Sequence, residues 1–258
     1  MLGISAGLLA VAAACVIFSL FVIDTQSSAN MRRAEEAALS KNSVFTLNWG
    51  PAFCKVNPDN EGCSDGSVAR LGDHSIIHGL WPQPYENNYC EAPENDKLAA
   101  ERGDIEQLPP INIAKPTLDQ LVPYYSRQEN MGYEWLKHGT CSGVSQEEYF
   151  KDIEDLFAQV SKILDPVFQR AAGGRLQADA IRRHLDATLG SRAGSRLKLT
   201  CVKAQGVSGE VILEAELSLP RVEDLRRDGA LKPLMELLRH APKIDGGCPA
   251  GIVVASKD

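Results

Sequence analysis

Two short segments carry the residue types that acid–base chemistry needs. The first reads Ile77-His78-Gly79-Leu80-Trp81-Pro82 and the second Glu134-Trp135-Leu136-Lys137-His138-Gly139-Thr140-Cys141. Each sets a histidine directly before a glycine, with a tryptophan three residues away. Imidazole titrates near pH 6.5, so two histidines can supply one proton donor and one proton acceptor around neutrality. Glu134 and Lys137 add a carboxylate and an ammonium that can stabilise charge developing between them. On a helical turn Glu134, Lys137 and His138 share one face, because residues three and four apart are neighbours. Such a set suits phosphoryl transfer from an RNA 2′-hydroxyl and calls for no metal or other cofactor.

Taken singly, each of these residues has a plainer reading. His78 ends a β-branched run, Gly79 serves a close backbone approach, and Trp81 belongs to a core. Glu134 and Lys137 alone are a surface ion pair. Those readings leave the repeated His-Gly dipeptide as coincidence. His138-x-x-Cys141 has the spacing of a metal-ligand pair, but no second such pair accompanies it, and oxidised cysteines offer no thiolate. Gly173-Gly174 is too weak a signal for a phosphate loop. Arg182-Arg183-His184 reads as a solvated helix face, and His74 and His240 carry no partner pattern.

The chain of 258 residues has a formal net charge of −7. That balance counts against a protein holding nucleic acid by bulk electrostatics, which would be basic. Contact with RNA must then be local and transient. From Met1 to Ile23 no side chain is charged and most residues are apolar, before Asp24 and a polar run. The apolar run is long enough to span a bilayer, while small residues at Ser27 and Ala29 also fit a cleaved signal. Residues 1–29 are therefore expected to be a signal peptide or an N-terminal membrane anchor, with a membrane tether through residues 1–23 in the second case. Either reading places the rest outside the cytosol, secreted or periplasmic. Cys15 lies in this segment, leaving Cys54, Cys63, Cys90, Cys141, Cys201 and Cys248. Three disulfides are the default in an oxidising compartment, with fifteen pairings open to six cysteines.

The elements that must position the two histidine segments follow from periodicity. Residues 30–43 read as a linker, and 44–258 as one α+β domain whose central antiparallel sheet packs with helices. Strands are expected at Val44–Trp49 and Ser75–Leu80, the second ended by Pro82. Residues 91–115, rich in Pro, Asn, Asp and Glu, read as a long loop, followed by a helix at Thr117–Arg127. Ser145 and Glu148 fit a capping box. Tyr149, Ile153, Leu156, Phe157, Val160 and Leu164 then set an apolar stripe for a helix over Gln146–Leu164. A further helix is expected at Ala178–Leu189 and a short one at Leu231–Arg239. Two strands flank Val207-Ser208-Gly209. In the second of them Leu213, Ala215, Leu217 and Leu219 alternate with Glu214, Glu216 and Ser218, which implies one wet face. Gly251–Ala255 closes the chain as a strand.

The two histidine segments resemble the paired active-site motifs of the ribonuclease T2 family of secreted, metal-independent endoribonucleases. Phe45-Thr46-Leu47-Asn48-Trp49-Gly50-Pro51-Ala52-Phe53-Cys54 is similar to that family's opening strand, and the likeness covers residues 44 to about 255. The resemblance implies a catalytic set of His78, Glu134, Lys137 and His138, with Trp81 near the base site. It implies the pairings Cys90–Cys141 and Cys201–Cys248, leaving Cys54 with Cys63. It further implies single-stranded RNA as substrate, cleaved by 2′-hydroxyl attack to a 2′,3′-cyclic phosphate and then a 3′-phosphate, with DNA excluded. Two positions depart from the pattern. Many members carry a histidine before the motif's glutamate that helps hold the phosphate; here it is Tyr133, whose hydroxyl can still donate a hydrogen bond. Gln83 stands where some members have an acid that contacts the base. Tyr85 and Tyr89 are expected to stack on a base. The rival reading is a non-catalytic RNA- or protein-binding module on the same fold.

Overall fold

Alternation of Phe45, Leu47 and Trp49 with Thr46 and Asn48 makes the first strand two-faced, and the rest of the sheet is laid down on that pattern. The structure, a computed structural model, describes residues 40–90 and 92–256. These fall in one compact unit, Ser40–Asp258. The signal or anchor at 1–29 lies outside the described residues. Among the described residues no helix is long and apolar enough to cross a membrane.

Strands β1 (Asn42–Trp49), β2 (Ser75–Gln83), β3 (Arg175–Gln177), β4 (Leu197–Lys203), β5 (Glu210–Leu219) and β8 (Ala250–Ile252) build the main sheet, and β6 (Arg226–Arg227) pairs β7 (Ala230–Leu231) beside it. The order is β2-β1-β5-β8-β3, with β4 on the other edge of β5. Every pairing is antiparallel except one parallel contact, Val211 to Ile252. β1 begins at Asn42 with Ser43 fully buried, so folded structure starts inside the stretch read as a linker. Pro82 lies within β2 rather than ending it, because β2 is the edge strand and Pro82 needs no outward donor.

The helices are α1 (Gly50–Val56), α2 (Glu61–Ser64), α3 (Glu94–Arg102), α4 (Lys115–Leu121), α5 (Glu129–Lys137), α6 (Gln146–Ala171), α7 (Ala178–Leu189) and α8 (Leu234–His240). α6 starts as its capping box requires, with Ser145 Oγ accepting the Glu148 N–H at 3.2 Å. Its stripe from Tyr149 to Leu164 is buried against Phe45, Leu47 and Leu80 of the sheet, and Tyr149 donates to Leu80 O at 2.7 Å. α6 runs past the expected end through Pro166, because Val167 and Phe168 continue the apolar stripe. α3 replaces part of the expected loop at 91–115. Composition there hid the end signals: Glu94 and Asp96 in the first turn, Arg102 in the last, and Gly103 left-handed at φ 81° beyond it. α4 stops at Leu121, where a 3-10 turn containing Pro123 follows, so the expected helix to Arg127 is cut short. α8 begins after Pro233, three residues later than expected.

Three disulfides form, Cys54–Cys63, Cys90–Cys141 and Cys201–Cys248. The second fastens the segment after β2 to the turn that follows α5.

Candidate active site

The polar face of the sheet, opposite α6, gathers the first histidine segment. Thr46 of β1 pairs with Gly79 and Leu47 with Ile77, so His78 is an extra residue on β2, a β-bulge. Bulges re-aim a side chain without breaking the flanking ladder. Here the bulge turns the His78 ring toward Trp81, whose ring meets it edge-on at 4.8 Å between centroids.

α5 brings the second segment over the same face. Glu134 and Lys137 lie on one side of the helix, and His138 closes it with its N–H bonded to Glu134 O at 2.9 Å. Glu134 is buried and accepts Trp81 Nε1–H at 2.8 Å. Gly79 makes this approach available, since a Cβ there would overlap Glu134 Oε2 and crowd Trp81 Nε1 at 2.6 Å. Gly139 likewise leaves room for the Trp135 ring. The glycine of each His-Gly dipeptide therefore has a packing reason. The His138 ring is buried beside Trp81 at 5.5 Å and Tyr85 at 6.0 Å.

The remaining expected residues divide. Lys137 Nζ donates to Tyr133 Oη at 3.0 Å and sits 5.2 Å from the Tyr133 ring centre. Tyr85 is exposed beside Trp81, Lys137 and His138, where a planar group could stack. Tyr89 is different: it packs against the small cluster of Ala99, Ala100, Leu108 and Leu136 and hydrogen-bonds Tyr133. It backs the site rather than facing it. Gln83 Nε2 donates to Trp81 O at 3.2 Å, next to the site. Cys141 is held in its disulfide, so His138-x-x-Cys141 has no thiolate to offer a metal.

Electrostatics separate the two histidines. Burial pushes His138 down to about 3, helped by the positive charge of Lys137 and the proximity of His78, so its imidazole is neutral across the working range. Burial alone would also pull His78 down, but its hydrogen bond to Glu214 and the charges of Glu134 and Glu214 outweigh it, and His78 is raised. Burial raises Glu134, opposed by His78, Trp81 and Lys137. Lys137 is partly desolvated, yet its hydrogen bond and charge interaction with Tyr133 hold it above its ordinary value and keep it cationic.

Glu214 is the residue that sequence reasoning passed over. Its Oε1 lies 2.7 Å from His78 Nδ1. The alternation along β5 pointed to a wet face, and the structure corrects that: Glu216 and Ser218 are buried, and Glu214 is turned toward His78. Glu216 is held by Lys198 Nζ at 2.8 Å and Thr200 Oγ1 at 2.5 Å. A signal was present, Glu214 and Glu216 alternating with Ala215 and Leu217 inside a mostly apolar strand, but pattern alone cannot tell a solvated face from a polar site. His74, without a partner in the sequence reading, pairs with Asp165 at 3.0 Å, outside the His78–His138 cluster.

A bulged strand, a helix end and a disulfide-fastened turn thus assemble two histidines of opposite charge preference around one tryptophan. The model of the ribonuclease T2 family matches residues 41–221, and the chain belongs to that family. It is 30% identical over 115 residues to a ribonuclease of Aeromonas hydrophila, 44% of this chain and 43% of that protein. It is 31% identical over 159 residues to ribonuclease MC of Momordica charantia, covering 60% of this chain and 78% of the relative. Among solved structures it is similar to RNase NT in complex with 5′-AMP, with TM-score 0.52 and 16% identity over 84% of this chain and 98% of that one. A self-incompatibility associated RNase of Nicotiana alata gives TM-score 0.50 at 14% identity, over 83% and 98% of the two chains. At these identities the structural likeness supports the fold.

Proposed function

We propose that this protein cleaves single-stranded RNA internally by transphosphorylation. The 2′-oxygen attacks the adjacent phosphorus, the bond to the 5′-oxygen breaks, and a 2′,3′-cyclic phosphate forms, which water then opens to a 3′-phosphate. The observation that carries this reading is the opposite titration of the two histidines beside Trp81. His138, neutral down to about pH 3, takes the 2′-hydroxyl proton. An arriving phosphate raises this value toward the working pH, because a negative charge favours imidazolium. His78, raised above the ordinary histidine value, gives its proton to the leaving 5′-oxygen. In the second step the two exchange roles.

Lys137 stabilises the charge of the five-coordinate phosphorus. Glu134 holds Trp81 by its indole N–H and draws the site together. Tyr133, already bonded to Lys137, offers a hydroxyl to a phosphate oxygen. Trp81 and Tyr85 present rings to a base, with Gln83 alongside. DNA has no 2′-hydroxyl and is no substrate. Three disulfides suit a secreted or periplasmic setting. Family membership and the relatives' names support the RNA-cleaving class.

The test is incubation of the disulfide-bonded protein with a short single-stranded RNA in EDTA across pH 4–8, with 3′ ends read by mass spectrometry. Cyclic phosphate ends, lost with His138→Ala, are expected. Activity that EDTA abolishes would replace the two-histidine reading with a metal-dependent phosphoesterase. Intact RNA at every pH would leave a binding module on this fold.

A further inference from the structure

The strand bearing Glu214 reaches the first histidine from two places away in the sheet. β5 is separated from β2 by β1, and Asn48 of β1 stands between Glu214 and Ile76 in the pairing. Two strand spacings are about 10 Å, so only a long carboxylate side chain on β5 and a bulged histidine on β2 close the gap. β5 has its own bulge immediately before this point: Thr200 pairs with Glu214 and Cys201 with Ile212, leaving Leu213 as the extra residue. Both partners of the 2.7 Å contact thus sit at or beside a bulge. The Glu214 side chain is 14% exposed and that of His78 39%. One is covered and the other open to the cleft.

We propose that Glu214 is a positioning residue for His78, fixing its tautomer and orientation so that Nε2 faces the reacting phosphate. A carboxylate has no hydrogen to give, so His78 Nδ1 must carry the proton in this bond and Nε2 is left to exchange one with substrate. The same contact favours the imidazolium, which the proposed acid needs at the start of each turnover. The groups that face His78 are Glu214 from β5 and Glu134, Lys137 and His138 from α5 and its end. Of these, Glu214 is the one hydrogen-bonded to the ring. Glu216 further along β5 is committed to Lys198 and Thr200. The proposal rests on the RNA-cleaving reading for its catalytic meaning, but its physical content is a bond to one ring nitrogen.

The experiment is an NMR titration of the five histidines in the full chain, as wild type, Glu214→Gln and Glu214→Asp, alongside kcat/KM against pH. His78→Asn assigns the resonance. Glu214→Gln keeps the size of the side chain and removes its charge. In it, the His78 titration moves to lower pH and its Nδ1 proton signature is lost. The alkaline limb of kcat/KM follows, with about a tenfold loss above neutrality, the size of one charge-assisted hydrogen bond. Glu214→Asp keeps the charge and recovers part of both. A His78 titration unmoved in Glu214→Gln overturns the proposal. A wild type that leaves RNA intact overturns the RNA-cleaving reading instead, and the NMR titration still decides the role of Glu214.

Discussion

His138 and His78 both lie against the indole ring of Trp81, yet burial strips the proton from the first while carboxylates keep it on the second. The pH profile of RNA cleavage should record this separation. kcat/KM of the free enzyme is expected to hold through mildly acidic pH, with its acid limb at about 3 where His138 becomes protonated, and its alkaline limb above the ordinary histidine value where His78 loses its proton. A profile falling off below pH 6 would contradict the assignment of His138 as base. The same groups act oppositely on stability. His78, raised on folding, contributes stability that is full below about pH 6.5 and lost as pH rises through its folded value. His138, depressed on folding, costs stability progressively as pH falls from about 6.5 toward 3. Gly79→Ala is expected to cost about 100-fold in activity, the scale of a displaced catalytic group, because its Cβ would occupy the space of Glu134 Oε2. Near-native kcat/KM in that variant would show that Glu134 can move without consequence. Glu134, Lys137 and His138 could be read as one group because residues three and four apart on a helical turn stay neighbours in space, and His78 through its matching His-Gly dipeptide. Glu214 was not, because 136 positions separate it from His78 and only strand order joins them.

α5 carries three of the site residues and is anchored at its end by Cys90–Cys141. That bridge spans 51 residues against 9 for Cys54–Cys63. On the chain-entropy account it stabilises by about 4 kcal/mol and the shorter one by about 2.5 kcal/mol. Urea unfolding of the Cys90→Ala/Cys141→Ala and Cys54→Ala/Cys63→Ala pairs should therefore rank in that order, and only the first should also lower kcat/KM. α6, with a strong apolar stripe and a cap, and α7, with a stripe alone, could be read directly from the sequence. α3 could not, since it buries little beyond Ala99 and Ala100 and shows no stripe. β5 was found as a strand, but the polarity of its second face was assigned to water, because alternation records which side chains are polar and not what meets them.

On the proposed function, net charge sets how the whole molecule would meet RNA. A chain at −7 gains little from counterion release, so raising salt from 50 to 200 mM should change kcat/KM by less than about tenfold, far from the 10³–10⁵ of a protein that neutralises 6–10 phosphates. A steep salt dependence would reveal a basic track away from the site. Fully buried Asp152 of α6 meets Arg226 at 2.7 Å and ties the small second sheet to the main core. Asp152→Ala should cost about 1.5 kcal/mol in urea unfolding, as Arg226 loses one carboxylate partner but keeps Asp155 at 3.1 Å, with no effect on the pH profile. The β2 bulge bears on inheritance as well as on geometry. Ile77 faces the core and Gly79 the polar side, so striking out His78 alone rejoins two residues that already alternate correctly. The loss of one in-frame codon would leave a sheet with unbroken pairing and an inert protein. A lineage of this chain can thus lose its proposed chemistry in a single step while keeping its shape, its disulfides and its surface for other uses.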